Sequence, residues 1–79
     1  MKTCDFRFYD PKSPGDFKIV RTPADAPFKF VAKFAAEEFN ITSRIKSVNC
    51  YKGKPVDLSL PAEEVLIRFG YEAHIVIGI

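Results

Sequence analysis

An α+β fold, one sheet with helices packed on it, is predicted for this 79-residue chain by three patterns. Short runs near the start alternate apolar with charged residues, as a half-buried strand requires. A longer central run, 26–39, repeats its apolar residues at helical spacing. A β-branched run near the end suits a buried central strand.

Taken in order, Cys4-Asp5-Phe6-Arg7-Phe8 reads as the first strand. The turn formers from Asp10 to Asp16, including Pro11, Pro14 and Gly15, close it. Phe17-Lys18-Ile19-Val20-Arg21 forms the second strand, which makes a hairpin with a loop longer than a two-residue turn. Pro27 then stands at the first helical position, where its missing N–H costs nothing. Asp25 lies one residue ahead of the usual cap position and Ala26 caps poorly, so a slightly frayed start is expected. At about 100° per residue, Phe28, Val31, Ala32, Ala35 and Phe39 share one stripe and face the sheet. The helix ends at Asn40 or within Ile41-Thr42-Ser43.

Ser47 to Tyr51 is read as the third strand, turned by Lys52-Gly53, with a brief fourth strand at Val56 to Leu58. Ser59 as cap, an early Pro61 and the acidic Glu63-Glu64 pair begin a second helix, which Gly70 stops. Ala73 to Ile77 is the final strand. The order β-β-α-β-β-α-β is the β-grasp, or ubiquitin-like, arrangement over a single domain, 1–79. It allows the first and last strands to lie parallel at the sheet centre.

Composition narrows the function. The 12 Lys and Arg against 10 Asp and Glu are scattered, with no basic run interleaved with aromatics, so nucleic acid is not an expected partner. No secretory signal is read at the start, and no apolar run approaches the roughly 20 residues a membrane helix needs. Membrane insertion is not expected. Cys4 and Cys50 stand far apart, outside any metal-binding or redox motif; a disulfide is the alternative, but they read as buried thiols of an intracellular, reducing compartment, cytoplasm or nucleus ahead of an organelle. His74 has no partner at ligand spacing and reads as structural. Neither acidic pair has a nucleophile beside it, so no enzyme, cofactor or metal is expected.

The central helix also carries a specific string. Pro27-Phe28, followed by Lys33-Phe34-Ala35-Ala36-Glu37-Glu38-Phe39, resembles the ubiquitin-fold modifier family, whose helix begins with PF and contains KFAAEEF. Matches at Phe6, Lys18, Pro23, Gly53, Val65 to Gly70, Glu72 and Ile75 extend the resemblance over most of the chain. The family is attached to target lysines by ufmylation through a C-terminal glycine. The resemblance thus implies protein partners and makes Gly78 the conjugation candidate. Two departures weigh against conjugation. Family members end in a longer charged tail finishing in Val-Gly, whereas Gly78 stands only about 3.5 Å of chain beyond the last strand. The position resembling the family's chain-building lysine is Arg68, whose guanidinium is no amine nucleophile. A non-covalent interaction module, a small subunit of a larger complex, is the expected function; a covalent modifier is the alternative.

Two surfaces are candidates for partner binding. Phe30 projects about 160° from the centre of the core stripe, with Phe34 on the flank, an i,i+4 apolar pair on the outer helix face. The resemblance implies the sheet's outer face as a recognition surface, and alternation places Arg7, Lys18, Val20 and His74 on it, with Arg68 as a further candidate. The sheet edge is a third opportunity, since a short sheet leaves one open.

Overall fold

In the computed structural model all residues except Met1, Pro14, Tyr51 and Ile79 are described. The elements are β1 (Thr3–Tyr9), β2 (Phe17–Pro23), α1 (Phe28–Glu38), β3 (Ile45–Cys50), α2 (Ala62–Phe69) and β4 (Glu72–Ile77). The sheet runs β2-β1-β4-β3. β1 and β4 are parallel at its centre, and both outer pairs are antiparallel, as the β-grasp order requires. Val56 to Leu58 forms no strand. That segment contributes only an isolated bridge, Asn49 with Pro55, and a Val56 N–H donated to the Val48 carbonyl at 2.7 Å. Pro55 has no N–H to extend a ladder. Pro14, read above as a turn former, and Tyr51, read above at the end of the third strand, lie outside the described residues.

The core is aromatic. Phe6 and Phe8 from β1 meet Phe28 from α1, all three buried, with Phe28 ring centroids 5.0 Å from Phe6 and 5.8 Å from Phe8. Each ring taken out of water is worth about 1.5–3 kcal/mol, and edge-to-face pairing adds about 0.5–1.5. Val31, Ala32 and Ala35 complete the expected helix stripe. Ala36 joins them, while Phe39 is only partly buried at the margin.

Neither helix start uses a side-chain cap, and both are satisfied by an exchange of backbone bonds. The Phe28 and Lys29 N–H groups donate to the Leu60 and Leu58 carbonyls at 2.9 and 3.0 Å. In return, Ala62 and Glu63 donate to Ala26 and Ala24, each at 2.8 Å. The first helix start is therefore tied down by the second, contrary to the fraying expected from Ala26, because orphan N–H groups accept any carbonyl in reach. Ser59 is not the α2 cap; its amide and hydroxyl bond Asp57 instead. At the other end of α1, Asn40 adopts the left-handed conformation (φ 58°), and Ile41 donates to Ala36 and Asn40 to Glu37, a Schellman closure. Gly70 (φ 90°) gives α2 a stop that an L side chain disfavours.

Candidate protein-interaction surfaces

Cross-strand register decides which side chains reach which face. Phe6 lies opposite Val20, and Phe8 opposite Lys18. Directly paired residues share a face, so Val20 and Lys18 belong to the helix side and not to the outer face expected for them. Val20 is only 4% exposed. Lys18 reaches along the helix side, where its Nζ donates to the Glu38 carbonyl at 2.9 Å and lies 5.6 Å from the Phe39 ring centroid. The β2 sequence alone is ambiguous, because Phe17 and Ile19 have one parity and Val20 the other.

Arg7 and His74 do occupy the outer face, together with Tyr9, Phe17, Ile19 and Glu72. Tyr9 stacks on His74 with centroids 4.5 Å apart and planes 8° from parallel. The Tyr9 phenol, as a hydrogen-bonding group, and to a lesser degree the charge of Glu72 hold the Arg7 guanidinium above its usual pKa; its charge is permanent.

On the helix side, Phe30 and Phe34 are exposed, at 57% and 50%. They do not face bare solvent on a convex surface. With Val20, Thr22, Pro23 and Val31 they line a groove of about 220 Å³ between α1 and β2. The sequence flagged the two rings but not their neighbours on β2, since the pairing of helix with strand is non-local. β2 is also an edge strand, and among the described residues the backbone of 18–22 bonds to no segment other than β1. The opposite edge is different. On β3, Val48 and Cys50 are engaged by Val56 and Lys54, which covers that edge.

No group of three or more His, Cys, Asp or Glu side chains fit to hold a metal occurs among the described residues. Nor is any described helix long and apolar enough to cross a membrane. The family model of the ubiquitin fold modifier 1 protein matches residues 5–77, nearly the whole chain. The chain belongs to the ubiquitin fold modifier 1 family.

The family is one of ubiquitin-fold modifiers, which implies protein partners and turns attention to Gly78 and Arg68. Gly78 is held at the sheet: its N–H donates to the Arg44 carbonyl at 2.8 Å. A side chain there would come within 3.1 Å of the Lys46 Cβ, so Gly78 also packs closely on β3. Arg68 projects from α2 into solvent and pairs with Glu64, one turn earlier, at 2.9 Å. An exposed i,i+4 pair of this kind contributes only about 0.3–0.5 kcal/mol, and Arg68 borders neither the groove nor the aromatic sheet face. Cys4 and Cys50 are buried free thiols.

Proposed function

We propose that this ubiquitin fold modifier family member works as a non-covalent protein-interaction module, a small subunit of a larger assembly, and is not itself an enzyme. The supporting observation is the coincidence of the open β2 edge with the Phe30/Phe34 groove. An extended partner segment added alongside β2 satisfies the free backbone groups of 18–22, while alternate side chains enter the groove. Main-chain bonds supply affinity and the groove supplies selection for apolar residues. Two buried thiols suit a reducing intracellular compartment.

The second reading, a covalent modifier joined to lysines through Gly78, is favoured by the family itself. It requires the Gly78 segment to leave its bond to Arg44 before an enzyme can hold it extended. The two readings separate in one experiment. The protein is incubated with the ufmylation-activating enzyme and ATP, and a reductant-sensitive thioester is sought. Its formation would overturn the non-covalent reading. Its absence, with recovery of the protein in a large complex that Phe30→Ala or Phe34→Asp dissociates, would support it.

A further inference from the structure

The two edges of the sheet are defended unequally. β3 is covered by the segment from Lys54 to Val56, and its register shifts between Ile45 and Ser47. β2 has neither device: its ladder to β1 runs without a shift from Phe17 to Pro23, and proline enters only at its last residue. A straight, uncovered edge is a template for another strand. The ladder also fixes which of its backbone groups are free. Just past its two ends, Ala24 donates to the Lys2 carbonyl at 3.1 Å and Asp10 to the Asp16 carbonyl at 3.0 Å. Carried through β2, that alternation turns the N–H and C=O of Lys18, Val20 and Thr22 toward β1, and those of Phe17, Ile19 and Arg21 outward. Apolar surface flanks the edge on both sides, with exposed Phe17 and Ile19 on one and exposed Phe30 and Phe34 on the other.

We propose that β2 pairs antiparallel with β2 of a second copy of this chain, about a two-fold axis at Ile19, and that this homodimer withholds the edge from the partner segment described above. The inference rests on the open edge of that reading, not on the identity of its partner. The strand is self-complementary in this register. Ile19 meets Ile19, and Phe17 meets Arg21, whose charge is already matched by Asp5 at 3.0 Å. Lys18, tied back to the Glu38 carbonyl, meets Val20. Each opposed pair with outward groups exchanges both of its main-chain bonds. Neighbouring registers are worse: an axis at Lys18 sets two ammonium groups directly opposite, and one at Val20 brings in Pro23, which has no N–H to give. With β3 covered, β2 is the edge left open among the described residues, so association closes at two copies and does not grow into a fibre. One strand a side makes a small seam, in the transient class below about 1,200 Å². The dimer therefore exchanges, and partner and second copy compete for one edge.

The test takes the full wild-type chain through sedimentation velocity from micromolar to millimolar concentration. A reversible rise toward twice the monomer mass, with no larger species, is expected. Ile19→Pro removes an N–H that faces outward, the setting in which a strand tolerates proline. Ile19→Lys sets like charges across the axis. Each variant, checked for a cooperative melt, should weaken association about tenfold or more; should the proline variant fail to fold, Ile19→Lys decides. Register is read by mild oxidation of Ile19→Cys and Phe17→Cys. Opposed Cα atoms lie about 5.5 Å apart, within disulfide reach, whereas the two copies of position 17 stand about 14 Å apart. The first variant should cross-link and the second should not, with the native thiols buried. A mass that stays monomeric, growth beyond the dimer, association indifferent to both Ile19 substitutions, or faster cross-linking of Phe17→Cys would each overturn the proposal. Recovery of a larger complex judges the partner reading separately. A protein monomeric at every concentration yet recovered in a complex defeats the dimer alone, and a dimer without a complex defeats the partner reading alone.

Discussion

The Phe28 ring lies edge to face on Phe6, at 64° and 5.0 Å between centroids, and joins the long helix to the central strand of the sheet. Phe28 is wholly buried and also touches Phe8. Phe28→Ala should therefore remove both transfer energy and aromatic contact, and destabilise by about 3–5 kcal/mol. Phe28→Leu should cost roughly 1–1.5, since most of the volume is kept. Chemical denaturation of both variants checks the values; a loss below about 1 kcal/mol for Phe28→Ala would contradict this core.

The groove residues predict the opposite behaviour. Phe34 is half exposed and Phe30 more so, so Phe34→Asp should change stability by no more than about 0.5 kcal/mol while abolishing binding in the groove. Unchanged melting with lost association is the expected pair of results. A collapse of the melt would show that Phe34 belongs to the core.

Gly78 gives a third expectation. Because its N–H is donated to the Arg44 carbonyl just beyond the ends of β3 and β4, its amide should exchange with solvent measurably more slowly than in a free peptide. Exchange at the free-peptide rate would mean an already released segment and would favour the covalent reading.

Asp57 accepts the Ser59 hydroxyl at 2.6 Å and the Ser59 amide at 2.9 Å. Those bonds, the hydroxyl first, hold its carboxyl below the ordinary value of 3.8. With the folded pKa lower than the unfolded one, the stabilisation is fully present above about pH 4. It is lost as pH falls through the lowered value. Thermal melts across the acid range should show wild type approaching Asp57→Asn as Asp57 protonates; a constant gap between the two would refute the linkage.

Burial, and then the nearby carboxylates of Glu63 and Asp5, push the Cys4 thiol above its ordinary 9.0. The unfolded chain then ionises first, so the contribution present below pH 9.0 is lost as pH rises beyond it. Alkylation of native Cys4 should be slowed by about 100-fold or more relative to the denatured chain, since reaction requires local opening. Peptide mapping after timed iodoacetamide treatment reads this directly.

Much of the architecture was legible in the residues. Alternation at Cys4 to Phe8, the stripe from Phe28 to Ala35 and the β-branched run before Gly78 report local periods of 2.0 and 3.6, which a single chain segment displays by itself. The KFAAEEF string at Lys33 to Phe39 pointed to the family that the profile match establishes. The exposure of Phe30 also followed from the helical period, which put Phe34 on the flank.

What the linear order withheld were relationships between segments. The inward face of β2 was settled by its register against Phe6 and Phe8, which turned Val20 and Lys18 toward the helix. Each helix start was completed by carbonyls from the other's approach segment, 29 to 39 residues away, and not by Ser59. The groove likewise exists only once β2 and α1 are brought together. Periodicity is a property of one segment, whereas register, hydrogen-bond partners and charge pairing depend on distances that folding alone creates.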